Sequence, residues 1–176
     1  MKLVVVRHLP TAWNLEFRMQ GQQDIPIVPP DAATLSLIST ARAAVDAAGP
    51  YDRVYCSRML RTRQTAELFG YPAPVVDPLL NELNFGPFEG AMRADMLRAL
   101  GPAWQESPQT LTLGESMLSL GERVQQFLAQ NAGYGRVLVF GHGAWTRALF
   151  SLQKTGGLAQ MNTLSIENGE VLTFSV

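Results

Sequence analysis

The sequence is poor in charge and in cysteine, and it has no long apolar run. Charged residues make up 16% of the chain and the formal net charge is −1, so we expect no basic face for nucleic acid. The single cysteine, Cys56, allows no internal disulfide and indicates a reducing compartment. No run approaches the roughly 18 apolar residues of a membrane helix, and Arg7 and His8 end the first apolar run too early for a signal peptide. We therefore expect a cytoplasmic protein without nucleic-acid or membrane partners.

Apolar residues, at 47% of the chain, are numerous enough for a substantial core. The length of 176 residues predicts one domain over 1–176. Unbroken apolar runs at 3–6 and 137–140, with a third candidate at 54–56, are typical of parallel strands covered on both faces. Helices are predicted between and after them, over 32–48, 60–69, 115–130 and 144–154. This alternation predicts an α/β fold, a three-layer αβα sandwich around a mostly parallel central sheet.

Local signals add detail at four places. Asn168-Gly169 lies between strand-like segments and predicts a C-terminal hairpin. Residues 84–114 are rich in proline and large apolar side chains, and they predict an excursion over one end of the sheet that forms a candidate lid. Ser57 is a candidate N-cap for the helix at 60–69, and Thr112 with Glu115 is a candidate capping box for the helix at 115–130.

The only two histidines, His8 and His142, each follow a predicted strand. Because ligands of parallel sheets bind at the carboxyl ends of the strands, the two rings face each other if these strands are neighbours. A single histidine after a strand is more often a capping or surface residue, but both histidines in equivalent positions favour a site. Arg7 is costly to bury without an anion. It either reaches a surface carboxylate or clamps a phosphate through two donors.

Two further segments carry candidate functional groups. In SRMLRTRQT, Arg61 falls in the first turn or so of a predicted helix, where the helix N-terminus already attracts anions. Arg58 and Arg63 in the same segment are expected to be solvated. In LLNELNFGPFEG, Glu82 lies between leucines before a Gly-Pro turn. Isolated carboxylates of this kind are mostly surface residues, but one held in a cleft can act as a general acid and base.

Taken together, these segments resemble the histidine phosphatase superfamily, also called the phosphoglycerate-mutase-like family. The matching blocks occur in family order over residues 3 to about 149, as RHLPTAWN, a Gln-Gly with nearby Asp24, SRMLRTRQTA, LNELNFGPFEG, GESMLSLGERV and VLVFGHGAWTRAL. In length the chain resembles the short phosphatase branch, which includes α-ribazole phosphatases. Leu9 and Gly141 depart from the family pattern, as does the start of the first long helix at IVPPDAATLS, and these departures leave the shape of the substrate pocket open.

The resemblance implies hydrolysis of a phosphomonoester of a small metabolite, without a cofactor or a metal. It implies that His8 is the nucleophile, which forms a phosphohistidine, and that Glu82 is the general acid and base. A neutral imidazole suits attack on a phosphoryl dianion, which repels an anionic nucleophile. The other implied site residues are Arg7, Arg61 and His142 in catalysis, and Asn14, Gln20, Gly21 and Gly143 in substrate binding.

Three alternatives remain at this point. A mutase of the same family is the nearest, although family mutases are longer and carry larger insertions over the site. A phosphometabolite-binding module without turnover has no need of Glu82. A metallophosphatase is least favoured, because two histidines without a His-x-His or His-x-Asp cluster leave too few ligands for two metals. The sequence gives no indication of oligomeric state. For five large apolar residues of the excursion we expect one of two roles. They form an apolar lid that favours a bulky organic group, or they merely pack the lid helices. They are Phe85, Phe88, Met92, Met96 and Trp104.

Overall fold

The computed structural model describes residues 1–176 and is built around one five-stranded sheet with the strand order β3-β2-β4-β1-β5. The strands are β1 (Lys2–Arg7), β2 (Arg53–Cys56), β3 (Val75–Val76), β4 (Arg136–Gly141) and β5 (Val171–Ser175). The first four run parallel to their neighbours, and β5 runs antiparallel to β1. The mostly parallel sheet expected from the apolar runs is confirmed.

Helices cover both faces of this sheet. They are α1 (Ala12–Leu15), α2 (Ala32–Ala48), α3 (Leu60–Leu68), α4 (Arg93–Leu100), α5 (Ala103–Glu106), α6 (Met117–Asn131) and α7 (Gly143–Thr155). Val4 and Val6 pack in one apolar cluster with residues of α2 and α3, whereas Leu3 and Val5 pack in a second cluster with residues of α6 and α7. Because successive strand side chains point to opposite faces, this explains the unbroken apolar run, and the three-layer sandwich is confirmed. No helix combines the length and the apolar character needed to cross a bilayer.

The predicted C-terminal hairpin is wrong, although its turn is present. Gly169 has a φ of +80° in a turn with Asn168, but residues 164–167 form no strand. The free edge of β1 offers a longer ladder, so β5 pairs there instead. The turn joins the same edge, because the Gly169 N–H donates to the Arg7 carbonyl at 3.0 Å and the Arg7 N–H donates to the Glu170 carbonyl at 3.0 Å. The turn therefore lies at the carboxyl end of β1.

Two predicted helix caps are also wrong. Helix α6 begins after Ser116, whose Oγ accepts a backbone N–H at 3.0 Å, because Glu115 instead pairs with Arg123 at 2.7 Å. The N-cap position of α3 is Met59. Ser57 lies two residues before that position, and its fully buried Oγ accepts the N–H of Met59 at 3.1 Å.

The excursion at 84–114 contains α4, α5 and two short 3-10 turns, Gly86–Phe88 and Pro108–Thr110. Phe85, Met96 and Trp104 are buried in the core that includes α6 and α7, and they also line a cavity at the end of the sheet. The rings of Phe85 and Trp104 lie with centroids 6.3 Å apart. These three side chains therefore pack on the core and also line the cavity, whereas Phe88 only packs on the core and Met92 is exposed. A lid that favours a bulky organic group stays a prediction.

Candidate active site

A cavity of about 440 Å³ opens at the carboxyl ends of β1 and β4. It is lined by eight of the nine site residues predicted from the sequence, namely Arg7, His8, Asn14, Gln20, Gly21, Arg61, Glu82 and Gly143. The ninth, His142, lies behind the cavity wall with its side chain fully buried. Its ring centroid is 5.3 Å from that of His8. The sheet register explains this closeness, because Arg7 pairs with Gly141 and each histidine is the next residue.

The ring of His8 is held by a backbone carbonyl. Its Nδ1 lies 2.7 Å from the carbonyl oxygen of Leu9, and a carbonyl only accepts, so Nδ1 carries the hydrogen and Nε2 keeps its lone pair. The Leu9 N–H in turn donates to Thr65 Oγ1 on α3 at 3.0 Å, which fixes this loop. Burial, together with the charges of Arg61 and Arg7, holds the pKa of His8 well below its usual range. His8 is therefore a neutral imidazole near pH 7.

His142 precedes α7 and is held by a hydroxyl group. Its Nε2 lies 2.7 Å from Ser57 Oγ, and its Nδ1 is buried without a partner. Burial, with the nearby charge of Arg61, also holds the pKa of His142 well below its usual range. The site thus contains two neutral imidazoles, each with one ring nitrogen that has no hydrogen-bond partner in the protein.

Two arginines, the fully buried Arg61 and the half-buried Arg7, flank these rings without any carboxylate partner. Arg7 Nη1 donates to the carbonyl of Ile166, and the Nη atoms of Arg61 donate to the carbonyls of Gln23 and Gly21 at 2.7 Å. The Nε atoms of both arginines are buried without a partner. Burial lowers the pKa of Arg7 and lowers that of Arg61 to about 10. Buried cations without a counter-ion are costly, so this geometry favours a bound anion.

The loop that carries Gly21 is held by Glu89. Gly21 has a φ of +56°, and a Cβ there would lie 2.0 Å from Glu89 Oε1, so only glycine fits. Glu89 Oε1 accepts the N–H groups of Gln22 at 2.9 Å and Phe85 at 3.2 Å. Glu89 therefore holds two loops together and does not line the cavity.

Glu82 joins the cavity to the start of α7. Its carboxylate accepts three backbone N–H groups, those of Ala144 at 3.1 Å, Trp145 at 3.2 Å and the neighbouring Leu83 at 3.0 Å. A helix N-terminus stabilises a negative charge through such unpaired amides. Only 9% of Glu82 is exposed, and the exposed part faces the cavity.

Asn14 and Gln20 present side-chain amides to the same cavity. Asn14 Oδ1 accepts the N–H and the hydroxyl of Thr11 at 3.1 and 3.2 Å in a capping box for α1, which leaves Asn14 Nδ2 as a donor. Gln20 Oε1 is buried without a partner. Asn168 Nδ2 donates to the His8 carbonyl at 2.8 Å and so ties the C-terminal turn to this wall.

Sequence reasoning missed Ser57, Arg93, Arg147 and Asn168 as members of the site or its support. Ser57 was interpreted as a helix cap. Arg147 follows Gly143 by four residues on one helix, and this spacing is a signal that could have found it. Arg93 and Asn168 reach the cavity only through the excursion and through the pairing of β5, so no local pattern indicates them.

The cavity chemistry suits a phosphoryl-sized dianion. Guanidinium groups, amides and neutral imidazoles surround one space, and such donors bind tetrahedral oxyanions well. The structure contains no group of three or more His, Cys, Asp or Glu side chains able to hold a metal ion.

Comparison with known proteins identifies the same family that the sequence motifs resemble. A model of the histidine phosphatase superfamily (branch 1) matches residues 3–176. The chain is 30% identical over 138 residues to the "Probable phosphoglycerate mutase GpmB" of Escherichia fergusonii, covering 73% of this chain and 62% of that protein. It is 26% identical over 153 residues to the acid phosphatase of Mycobacterium tuberculosis, covering 85% and 74%. The α-ribazole phosphatase structure from Shigella flexneri superposes with a TM-score of 0.79 at 22% identity, covering 100% and 91%.

Proposed function

The chain belongs to the histidine phosphatase superfamily, and from this membership and the cavity geometry we propose that it hydrolyses phosphomonoesters through a phosphohistidine on His8. The observation that carries the proposal is a neutral His8 with a free Nε2 between two arginines whose Nε atoms are buried and which lack carboxylate partners. Relatives named as phosphatases support hydrolysis.

The first step is attack of His8 Nε2 on phosphorus. The lone pair of Nε2 forms the N–P bond, the ester P–O bond breaks, and its electron pair moves to the leaving oxygen. Arg7 and Arg61 neutralise charge on the three phosphoryl oxygens, which is the main requirement of phosphoryl transfer. His142 donates from its free ring nitrogen to the same oxygens, and Asn14 Nδ2 and the Gly143 N–H add neutral donors.

Glu82 acts as the general acid when the ester bond breaks and as the general base when water attacks. Its protonated carboxyl group donates a proton to the leaving oxygen, so that an alcohol departs instead of an alkoxide. The resulting carboxylate then takes a proton from water as the water oxygen attacks phosphorus. The N–P bond breaks, its electron pair returns to His8 Nε2, and inorganic phosphate leaves. No metal takes part, because the arginines supply the positive charge.

Phosphoryl transfer of the mutase type is a second candidate, favoured by the relative named as a phosphoglycerate mutase. With 3-phosphoglycerate as substrate, hydrolysis releases inorganic phosphate, whereas a mutase produces 2-phosphoglycerate. Phosphorus NMR separates these products in one sample. We expect phosphate release to dominate, and net isomerisation would replace the proposal.

The test of the proposal combines a rate with a trapped intermediate. Hydrolysis of p-nitrophenyl phosphate should persist after dialysis against EDTA, and a rapid quench with alkaline workup should trap phosphohistidine. Loss of activity that a divalent metal restores would contradict the mechanism. We also propose a small phosphorylated metabolite as substrate and a cytoplasmic location, in keeping with the single buried thiol of Cys56.

A further inference from the structure

The carboxylate of Glu82 is carried by a segment that belongs to no helix or strand. The 3-10 turn Pro78–Leu80 precedes it, and residues 81–85 form no regular structure. The backbone of such a segment lacks the ladder of hydrogen bonds that fixes a strand, so its polar groups need partners from elsewhere. The position of Glu82 in the cavity wall therefore depends on contacts from outside the segment.

An ion pair between Glu115 and Arg123 supplies three of these contacts. Arg123 Nη1 donates to the carbonyl oxygens of Leu79 at 2.8 Å and Asn81 at 3.0 Å. Glu115 Oε2 accepts the N–H of Asn84 at 3.3 Å. The pair thus holds the chain on both sides of the general acid.

The geometry of this pair suits a fixed position. Arg123 Nε and Nη2 donate to the two carboxylate oxygens of Glu115 at 2.7 and 3.0 Å. Only 19% of the Arg123 side chain and 15% of the Glu115 side chain is exposed, so solvent and salt screen the pair little. Two parallel hydrogen bonds fix direction as well as distance, which the point charge of a lysine does not do. Neither residue lines the cavity.

The carbonyl of Leu79 connects this pair to the start of α7. It accepts Nε1 of Trp145 at 2.9 Å as well as Nη1 of Arg123. The backbone N–H of Trp145 in turn donates to Glu82 Oε1 at 3.2 Å. A shift of the segment would therefore move the carboxylate of Glu82 relative to α7 and to the phosphoryl position beside His8. Proton transfer requires the acid within about 2.6–3.2 Å of its target, so such a shift affects catalysis directly.

We propose that Arg123, through its pair with Glu115, is a positioning residue that sets where the carboxylate of Glu82 lies in the cavity. Its part in catalysis rests on the proposed function, because that function assigns the proton transfer to Glu82. A misplaced acid matters most when the leaving oxygen is strongly basic, so the effect of losing Arg123 should depend on the leaving group. A role in folding alone would affect all substrates equally.

Arg123→Gln should slow hydrolysis of an alkyl phosphate by roughly 10- to 100-fold, as expected when a reacting group is displaced by about 1 Å. The rate on p-nitrophenyl phosphate should stay within a few-fold. Arg123→Lys keeps the charge without the parallel hydrogen bonds, so it should recover only part of the rate on the alkyl phosphate. Added to Glu82→Gln, the Arg123→Gln change should have little further effect on either substrate, because two residues that act through one group are not additive.

A second variant allows for the chance that Arg123→Gln folds poorly, since it leaves the charge of Glu115 unpaired. The double variant Glu115→Gln, Arg123→Gln removes both charges and should show the same dependence on the leaving group. Asp52→Asn is the control, because Asp52 accepts the N–H groups of Gly135 at 2.9 Å and Arg136 at 2.8 Å at the opposite end of the sheet. It should lower stability and leave the ratio of the two rates unchanged. Where Glu82→Gln shows the leaving-group dependence, an equal loss on both substrates in the Arg123 variants, or no loss, would overturn the positioning role.

Amide shifts separate this proposal from the proposed function. The N–H groups of Ala144 and Trp145 donate to Glu82, so their proton NMR shifts report where its carboxylate lies, with or without turnover. Arg123→Gln should move both shifts upfield, towards their values in Glu82→Gln, and leave that of Gly135 in place. This result supports the positioning role even if no phosphohistidine forms or Glu82→Gln shows no leaving-group dependence, findings that would refute only the proposed function. Unchanged shifts of Ala144 and Trp145 overturn the positioning role even if hydrolysis is observed.

Discussion

Ser57 Oγ lies 2.7 Å from Nε2 of His142, and both side chains are fully buried. Ser57 Oγ also accepts the Met59 N–H at 3.1 Å and lies 2.9 Å from Thr62 Oγ1, whose own hydrogen is directed to the Met59 carbonyl at 2.8 Å. When Ser57 donates to Nε2, the hydrogen of His142 resides on Nδ1, where it can meet a phosphoryl oxygen. Ser57 is thus a positioning residue that selects the tautomer of His142.

Ser57→Ala should therefore lower kcat by about 10-fold, the effect expected for losing one hydrogen bond near a reacting group. KM should change little, because Arg7 and Arg61 still bind the phosphoryl group. Nitrogen-15 NMR of His142 should show protonated Nδ1 in the wild type and a mixture of tautomers in the variant. Unchanged imidazole shifts together with lower activity would mean that Ser57 acts through packing alone.

Glu82→Gln should slow turnover by about 10²–10⁴-fold on alkyl phosphates, because a glutamine cannot transfer the proton. The loss should be much smaller on p-nitrophenyl phosphate, whose leaving oxygen needs little protonation. The variant should also lose about 0.3–1 kcal/mol of unfolding free energy, since the charge at the N-terminus of α7 is removed. Steady-state kinetics on both substrates and urea unfolding measure these effects.

Glu89→Gln is the matched comparison, because Glu89 holds the Gly21 loop by accepting the N–H groups of Gln22 and Phe85 and does not line the cavity. It should destabilise the fold and affect both leaving groups by a similar factor. If Glu89→Gln instead shows the leaving-group dependence and Glu82→Gln does not, the acid role belongs to Glu89.

The central sheet and the gathering of the site were predictable from the sequence. The apolar runs at 3–6 and 137–140 are buried on both faces, so their hydrophobicity alone reports their place in the sheet. His8 and His142 follow these runs, and parallel pairing then brings them together by register. Arg61 and Glu82 reached the cavity as the family resemblance implied.

Other features depend on competition between distant segments, which a local pattern does not report. The Asn168-Gly169 turn forms, but β5 pairs with the edge strand β1 and not with a hairpin partner before the turn. Serine is a common N-cap residue, but the hydroxyl group of Ser57 is hydrogen-bonded to His142, which follows a distant strand. In the sequence, Arg147 is one of several charged residues on a predicted helix. Only the structure shows that it lines the cavity and that its Nε is buried without a hydrogen-bond partner.

His8 and His142 should fail differently when each is replaced, although they occupy equivalent positions on neighbouring strands. His8→Ala removes the atom that carries the phosphoryl group and should abolish turnover. His142→Ala removes one donor to the phosphoryl oxygens, a change that costs about 10²–10³-fold in comparable sites. A quench during turnover, with alkaline workup and mass spectrometry, should locate the phosphoryl label on His8. A label on His142 would reverse the assignment.

Both histidines should make stability fall as the pH drops below neutrality, with no phosphate present. Burial holds the folded-state pKa of His8 and of His142 well below the usual value near 6.5. The unfolded chain therefore binds protons below about pH 6.5 that the folded protein rejects, so stability present above that pH is lost between 6.5 and the folded pKa. Each histidine contributes a slope of up to about 1.4 kcal/mol per pH unit.

Urea unfolding at about pH 7.5 and about pH 5.5 measures this loss of stability. The double variant His8→Asn, His142→Gln should lose less free energy of unfolding over the same interval, because neither amide titrates. The carboxylates are common to both proteins, so the difference between the two slopes isolates the histidines. Saturating inorganic phosphate should also reduce the loss in the wild type, because a bound anion favours the protonated rings. An identical pH slope in the wild type and the double variant would show that folding does not lower the pKa of either ring.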